Sequence, residues 1–318
     1  MAADDDWRDE FVLDRTHREL GTRTELHKRI TSGELIRVAR GVYHSPVPAT
    51  VPPGPARDLR YLHRVQAAQL TTNDKLLFAG HSAAVLWQLP VVDDWPTEVH
   101  VVADRSAGGR STAGLQRHTV GPLASVQVRG VFVTTLARTV IDIARTASLR
   151  EAVTMADSAL HGLRGRDDRV IRAPISKADL WAELADIGSG KGVVKARLAI
   201  ELADAASESA GESCSRVGFH LLGLTMPRLQ VRFSDRFGLI GTVDFWWPEF
   251  NLIGEFDGAV KYENPEFLAG RTPKQALHDE KRREDRLRAL GHGVSRWGWS
   301  TATSLPRLRA HLLEAGVR

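Results

Sequence analysis

The sequence predicts an α+β or α/β multidomain protein. Its 318 residues are enough for two or three domains. Amphipathic helical segments alternate with short apolar runs typical of strands along most of the chain. The two ends of the chain show different orders of helices and strands, which favours separate domains. A hydrophobic content of 42% and a charged content of 26% are ordinary for a globular protein.

Residues 1–45 have the element order of a winged helix. RDEFVLDRTHREL predicts one helix, and TRTELHKRITSG predicts a second that begins after Thr22 and ends at Gly33. ELIRVARGVYHS predicts a hairpin that turns at Arg40-Gly41. The candidate DNA contacts are the basic residues Arg23, Lys28, Arg29, Arg37 and Arg40. The residues alone leave a second interpretation open, a solvated helical hairpin used for protein contact.

The middle of the chain divides into a linker, a domain and a connector. Residues 46–56 are proline-rich and predict a semi-rigid linker. Residues 57–165 predict a mixed α/β domain, and residues 166–204 a helical connector. His81, Ser82, Arg138 and Asp142 lie in the mixed domain, where we expect a structural role because Arg138 and Asp142 have the spacing of a helix pair.

Composition excludes several classes of protein. MAADDDWRDEF is acidic and lacks an apolar h-region, so we expect no signal peptide there. The sequence contains no run of about 18 apolar residues, so we expect no membrane span. The single cysteine, Cys214, excludes an intrachain disulfide framework, and we expect it in the core of a cytoplasmic protein. The net charge of +4 is compatible with nucleic acid without being evidence for it.

Residues 205–318 predict a C-terminal domain built in a fixed order. GESCSRVGFHLLGL is a helix, and LQVRFSD, GTVDFWW and NLIGEFDG form a three-stranded meander. KQALHDEKRREDRLRALG is a long charged helix, and HGVSRWGWS is a final strand. The tryptophans in or near these strands favour core packing over base stacking.

Three carboxylates interrupt the apolar strands of this domain. Glu255 and Asp257 share a face of one strand, and Asp244 joins them if its strand pairs antiparallel with theirs. Buried carboxylates are costly unless they are protonated or bind a cation. Oxygen ligands suit Mg²⁺, which activates water and stabilises charge on a phosphate. In the alternative interpretation the acids are exposed and pair with Arg and Lys of the charged helix.

At these residues the chain resembles the PD-(D/E)XK nuclease superfamily, and more closely its Vsr-like branch. The motifs are GESCSR, VDFWWPE, GEFDGAVKY, EKRREDRLRALG and RWGW. The resemblance implies a restriction-endonuclease-like domain, with a mixed central sheet flanked by helices, that hydrolyses DNA phosphodiester bonds with Mg²⁺ or Mn²⁺. Asp244, Glu255 and Asp257 would hold the metal, and Glu212 matches an accessory acid of many members.

One position departs from the family pattern. The lysine expected two residues after the second acid is replaced by Asp257, although acid–X–acid also occurs in the Vsr-like branch. Lys261, as a catalytic residue, or Lys281 would supply the displaced lysine. Lys281 and Arg282 are also candidate DNA contacts on the charged helix.

Residues 1–160 are similar to the AbiEi-like antitoxins of type IV toxin–antitoxin systems. The motifs are LHKRITSGELIRVARGVYHSP, AGHSAAVLWQLP and VTTLARTVIDIAR. This resemblance implies that the winged helix binds operator DNA and that the next domain neutralises a nucleotidyltransferase toxin.

Two functional hypotheses follow. In the first, the protein is a Mg²⁺-dependent DNA endonuclease held on DNA by its winged helix. In the second, it is an antitoxin-like transcriptional regulator whose nuclease-fold domain is inactive. Retention of several acids on one sheet face favours the first hypothesis, and loss of the standard lysine favours the second.

Overall fold

The computed structural model describes residues 6–103, 114–119, 123–165, 167–258 and 272–318. These residues form 12 α-helices and four β-sheets, in keeping with the predicted mixed α and β multidomain class. The chain forms two compact units, residues 1–146 with 178–191 and residues 147–177 with 192–318.

The elements up to residue 146 belong to the first unit. In chain order they are β1 (Val12–Leu13), α1 (Asp14–Glu19), α2 (Arg23–Thr31), β2 (Ile36–Ala39), β3 (Val42–His44), α3 (Pro53–Leu70), β4 (Leu77–Phe78), α4 (Gly80–Leu86), β5 (Val99–Ala103), β6 (Leu115–Thr119), β7 (Ser125–Val128), β8 (Val131–Thr134) and α5 (Leu136–Thr146). The strands form a three-stranded sheet of order β1-β3-β2 and a five-stranded sheet of order β6-β5-β4-β8-β7.

The prediction of one helix over residues 8–20 was wrong. A 3-10 turn, Asp6–Glu10, is followed by β1, and only then does α1 begin. The reason is tertiary pairing, since Val12 lies opposite Tyr43 and Leu13 opposite Val42 in the small sheet. The second predicted helix and the hairpin at Arg40-Gly41 are confirmed by α2, β2 and β3.

The residues predicted as a separate winged helix share a core with the domain that follows. Trp7 and Val42 are buried in one hydrophobic cluster with Tyr61, Phe78 and Val101. The predicted linker is also shorter than expected, because α3 begins at Pro53, a residue well suited to a first helical turn. The first compact unit therefore crosses the boundaries predicted at residues 45 and 56.

The remaining elements belong to the second unit, except α7, most of which belongs to the first. They are α6 (Leu149–His161), β9 (Leu163–Arg164), β10 (Val170–Arg172), α7 (Lys177–Ile187), α8 (Val193–Leu202), α9 (Ala210–Leu221), β11 (Arg228–Asp235), β12 (Gly238–Trp247), β13 (Leu252–Phe256), α10 (Pro273–Ala289), β14 (Gly293–Trp297), α11 (Trp299–Ala302) and α12 (Leu305–Glu314). Strands β9 and β10 form a two-stranded sheet.

The predicted order of the C-terminal elements is confirmed. The four-stranded sheet has the order β11-β12-β13-β14, antiparallel except for the parallel pair β13 and β14. Helices α11 and α12 continue beyond the strand at which the prediction ended. The core under the sheet includes Phe219, Phe245, Trp247, Trp297 and Leu308. Cys214 is buried, as expected.

The indole N–H groups of both tryptophans in this core are hydrogen-bonded. Trp247 donates its indole N–H to the Thr225 carbonyl at 2.7 Å, and Trp297 donates to Ser215 Oγ at 2.8 Å. Their burial confirms the predicted core packing for these two, whereas the same prediction was wrong for Trp299, which is 38% exposed. In the part of the chain that the structure describes, no helix is both long and apolar enough to cross a membrane.

Candidate functional site

Asp244 and Glu255 lie side by side on the two central strands of the second unit's sheet. Strand β12 pairs antiparallel with β13, and Phe245 is opposite Gly254, so the register carries Asp244 opposite Glu255. Directly opposed residues project to the same face of a sheet. Asp244 Oδ2 accepts a hydrogen bond from the backbone N–H of Phe256 at 2.8 Å. The strand pairing on which the carboxylate prediction depended is therefore confirmed.

Glu255 is buried between two arginines. Its side chain is 7% exposed. Arg283 Nη2 of α10 lies 2.7 Å from Oε1, and Arg296 Nη2 of β14 hydrogen-bonds to Oε2. The Arg283 contact is an ion pair, and no donor is aligned for a hydrogen bond to Oε1. Glu255 and Arg296 occupy matching positions in the parallel register of β13 and β14.

Further carboxylates surround the two guanidiniums. Glu280 forms ion pairs with both Arg283 and Arg296. Glu284 Oε2 lies 3.5 Å from Arg296 Nε, and Asp257 Oδ1 lies 3.6 Å from Arg296 Nη1. Four carboxylates thus contact two guanidiniums, and the cluster carries net negative charge.

The electrostatics of Arg296 follow from this setting. Burial by itself lowers the pKa of an arginine, but here the neighbouring carboxylates of Glu255, Glu280 and Asp257 outweigh it and raise the pKa above its usual range. The same competition raises the pKa of Arg283. Both guanidiniums remain charged, so they offset part of the negative charge that a metal ion would otherwise meet.

The mixed charges of residues 279–288 predict a solvated helix face with i,i+4 pairs, and the structure confirms this prediction only in part. Glu284 does pair with Arg288, at 2.8 Å. However, Glu280 and Arg283 turn toward the sheet and join the carboxylate cluster. Leu287, which is 1% exposed, lies on the same helix face at i+7 from Glu280. Its apolar side chain within a charged segment is the signal that could have identified this face.

The three predicted metal ligands do not form one three-ligand cluster. Among the described residues, no choice of one oxygen each from Asp244, Glu255 and Asp257 places all three within 4.8 Å of one another. Mg²⁺ commonly takes only one or two carboxylates, with water and substrate phosphate completing its shell. Asp244 and Glu255 supply that number of carboxylates and the cluster is net negative, but both Glu255 oxygens already contact arginines. Asp257 instead contacts Arg296.

Glu212 lies at the start of α9, where its contacts are local. Its carboxylate accepts hydrogen bonds from Ser209 Oγ at 2.6 Å, the Glu208 backbone N–H at 3.0 Å and Gln230 Nε2 at 3.2 Å. Ser209 in turn caps the helix by accepting from the Glu212 N–H. Burial raises the pKa of Glu212, against the effect of these donors. The geometry gives Glu212 a local role at the start of α9, and the accessory role that the family resemblance implies stays a prediction.

Of the two lysines proposed to replace the missing family lysine, only Lys281 falls within the described residues. Lys261 lies outside the described residues. Lys281 and Arg282 are exposed on α10. The cations in contact with Glu255 are arginines. Arg283 belongs to the charged helix, as the alternative interpretation expected, whereas Arg296 of β14 was not predicted.

The five candidate DNA contacts lie on or beside α2 and the following hairpin. Arg23 and Arg29 hold ion pairs with Asp14 at 3.2 Å and Glu34 at 2.6 Å. The other three, Lys28, Arg37 and Arg40, are exposed. Helix α2 buries Leu26 and leaves most of its remaining surface to solvent. This surface is available for contact with a partner.

The polar residues of the mixed domain have the structural contacts expected of them. Arg138 Nε donates to both oxygens of Asp142 at 3.0 Å. Ser82 Oγ accepts from the His100 backbone N–H at 2.8 Å and lies 2.9 Å from Tyr61 Oη. His81 packs against the His100 ring.

Comparison with known proteins gives relatives without an established activity. No family model matches the chain. An uncharacterized protein of Mycobacterium tuberculosis strain CDC 1551 / Oshkosh is 29% identical over 274 residues, covering 85% of this chain and 88% of its own length. An uncharacterized protein of strain ATCC 25618 / H37Rv matches to the same extent. The crystal structure of the RV2827C protein from M. tuberculosis aligns with a TM-score of 0.36 and 14% identity, over 71% of this chain and 83% of that one. A likeness of that size carries no functional conclusion.

Proposed function

We propose that this chain is a DNA-binding protein whose C-terminal part hydrolyses DNA phosphodiester bonds with a divalent metal ion. The observation that carries the proposal is the placement of Asp244 and Glu255 opposite each other on β12 and β13. The sequence of elements from α9 to β14, with its single parallel pair, also supports the nuclease-like fold that the PD-(D/E)XK resemblance implies.

In this proposal Asp244 and Glu255 hold Mg²⁺ or Mn²⁺. The ion supplies activation of water and stabilisation of charge on the phosphate. Arg296 and Arg283 position the Glu255 carboxylate by contacting one oxygen each.

The N-terminal cations supply DNA affinity in the same proposal. Lys28, Arg37 and Arg40 are exposed beside α2 and the hairpin. Contacts of this kind to phosphates give affinity without sequence information and make binding salt-dependent.

A second candidate function is supported by the arginines themselves. Arg283 and Arg296 already contact both Glu255 oxygens, as a metal ion would, and Asp257 stands where the family has lysine. This arrangement favours an antitoxin-like regulator with an inactive nuclease-fold domain, for which the partners would be operator DNA and a nucleotidyltransferase toxin.

A cleavage assay separates the two candidates. Supercoiled plasmid, single-stranded DNA and mismatched duplex are incubated with the full chain in Mg²⁺, Mn²⁺ or EDTA. We expect metal-dependent nicking that is lost in Asp244→Asn and Glu255→Gln. Asp235→Asn is the matched control, because Asp235 lies at the far end of β11 and pairs with Arg286.

The outcomes are distinct. Nicking that persists in both site variants would exclude these carboxylates as metal ligands. Absence of cleavage on every substrate, with DNA binding retained, would overturn the nuclease proposal and favour the regulator.

A further inference from the structure

Three potential metal ligands from separate elements meet in the first unit. Glu10 ends the 3-10 turn, His44 ends β3 and His63 lies in α3. One ligand atom from each lies within 4.8 Å of the others. Glu10 Oε2 is 3.6 Å from His44 Nε2.

His44 has one ring nitrogen fixed and the other directed at this cluster. Its Nδ1 lies 2.6 Å from the Ser45 carbonyl oxygen, which only accepts hydrogen bonds, so Nδ1 carries the proton. In the neutral ring Nε2 then carries the lone pair. That atom is buried and has no hydrogen-bond partner among the described residues. A backbone carbonyl that binds one ring nitrogen and orients the other is the usual outer support of a metal-binding histidine.

His63 is held beside His44 by packing. The two rings lie against each other with centroids 3.9 Å apart, and Phe11 packs edge-on against both. The packing therefore keeps the two imidazoles together next to Glu10.

Glu10 gives the cluster a charged and open side. Its side chain is 64% exposed, whereas that of His44 is 13% exposed. The cluster has apolar support from Phe11 and a carboxylate at the solvent boundary, where water can complete a coordination shell.

We propose that Glu10, His44 and His63 form a binding site for a divalent metal ion of the zinc class. Two imidazoles and one carboxylate suit Zn²⁺, Co²⁺ or Ni²⁺ better than Mg²⁺, which prefers oxygen ligands throughout. Bonds of 2.0–2.1 Å in tetrahedral geometry separate neighbouring ligand atoms by roughly 3.3 Å. The ligand atoms lie within 4.8 Å of one another, and the two rings, now against each other, would have to turn so that both lone pairs point at one ion.

The site would tie the 3-10 turn and β3 to α3. These are the elements whose apolar residues share the core of the first unit, so bound metal would stabilise that unit against unfolding. The proposal is independent of the carboxylate site in the second unit, because it involves other residues and another class of metal.

The test is titration of untagged, metal-free full-length protein with Zn²⁺ in excess Mg²⁺, followed by calorimetry and thermal unfolding. Co²⁺ is titrated in parallel, since a tetrahedral site gives a characteristic visible absorption. We expect one tight equivalent, a higher Tm with Zn²⁺, and affinity losses of roughly tenfold or more in Glu10→Gln and a hundredfold or more in His63→Gln.

Matched controls are Glu19→Gln and His27→Gln, which change exposed residues of the same types in α1 and α2. They should bind Zn²⁺ as the unmodified chain does. Glu10 is exposed, so its substitution tests the site without disturbing the core. Equal Zn²⁺ affinity in the unmodified chain, Glu10→Gln and His63→Gln, or absence of a tight equivalent, would overturn the proposal.

Discussion

At the residue scale, Asp235 is a carboxylate whose side chain is only 12% exposed and is paired with one arginine, Arg286. Arg286 donates to its two oxygens at 2.6 and 2.8 Å, and this hydrogen bonding lowers the pKa of Asp235 to about 2. A carboxyl whose pKa is lower in the folded state contributes stability above its unfolded pKa of 3.8, and loses it as pH falls toward 2. The pair therefore stabilises the fold at neutral pH and weakens in acid.

This gives a pH-dependent prediction. The difference in free energy of unfolding between the unmodified chain and Asp235→Asn should be constant above about pH 5 and should shrink as pH falls from 5 to 3. Urea unfolding at several pH values measures it. Glu249→Gln, an exposed acid in the turn after β12, serves as a control. A difference that grows on acidification would contradict the assigned direction of the pKa shift.

The residues of the candidate site were predictable to different degrees. Asp244 and Glu255 followed from the two-residue period of strands, which fixes the face of each side chain. Arg296 could not be chosen in the same way, because its contact with Glu255 depends on the parallel pairing of β13 with β14. The contact of Glu280 with Arg296 depends on which face of α10 is turned toward the sheet. Such contacts depend on tertiary packing rather than on local pattern.

At the element scale, helix α9 approaches the end of β13 so closely that a glycine is needed. A Cβ added at Gly211 would lie 2.0 Å from Cε1 of Phe256, a ring that is 5% exposed. A rigid, buried ring cannot give way as a flexible side-chain end would. Gly211 thus sets the distance between the helix that carries Glu212 and the strand that carries Glu255.

We expect Gly211→Ala to lower the free energy of unfolding by roughly 1–3 kcal/mol or more, since overpacking outweighs the helix propensity of alanine. Gly54→Ala, in the first turn of α3, is the matched control. No atom outside its chain neighbours lies within 4 Å of its added Cβ, and the helix propensity of alanine is offset because Gly54 precedes Pro55, so the change should be smaller than that of Gly211→Ala. Chemical denaturation measures both.

A double-mutant comparison tests whether Phe256 is the residue that an added Cβ at Gly211 would meet. In a Phe256→Leu background Gly211→Ala should cost less than in the unmodified chain, because the two positions are in contact. An equal cost in both backgrounds would show that Phe256 is not the obstacle.

Elements were predicted well where their local pattern agreed with their packing. Helix α9 and the meander β11 to β13 had clear periods, and the glycine at 291 marked the end of α10. The segment 8–20 was mistaken for a helix because Val12 and Leu13 also fit a helical pattern, and only pairing with β3 makes them a strand. Two-residue strands lack a recognisable period of their own.

At the scale of the whole molecule, the chain leaves its first unit and returns to it. Residues 178–191 belong to that unit although they follow the start of the second. One contact that accounts for this is the ion pair of Arg138 in α5 with Glu183 in α7, at 3.5 Å. A proline-rich stretch suggested a boundary near residue 50, but the shared hydrophobic core crosses it. Composition shows where proline-rich or charged stretches lie along a chain. It cannot show which distant segments pack together.

The proposed DNA binding by the first unit predicts a measurable salt dependence. Each phosphate neutralised by a cation contributes about 0.9 to the slope of log K against log salt concentration. Lys28 and Arg40 are exposed, whereas Arg29 is paired with Glu34 at 2.6 Å. Breaking that pair would offset part of the gain from a phosphate contact, so the exposed cations should contribute most.

We therefore expect Lys28→Gln and Arg40→Gln each to reduce the salt slope by about 1 and to weaken binding to all duplex sequences similarly. Arg29→Gln should have a smaller effect. Fluorescence anisotropy of a labelled duplex across a salt series measures the slope, with Arg309→Gln, an exposed arginine of α12, as control. If only the control changed the slope, the cations of α2 and the hairpin would not contact phosphate, and the DNA affinity of the chain would belong to its second unit.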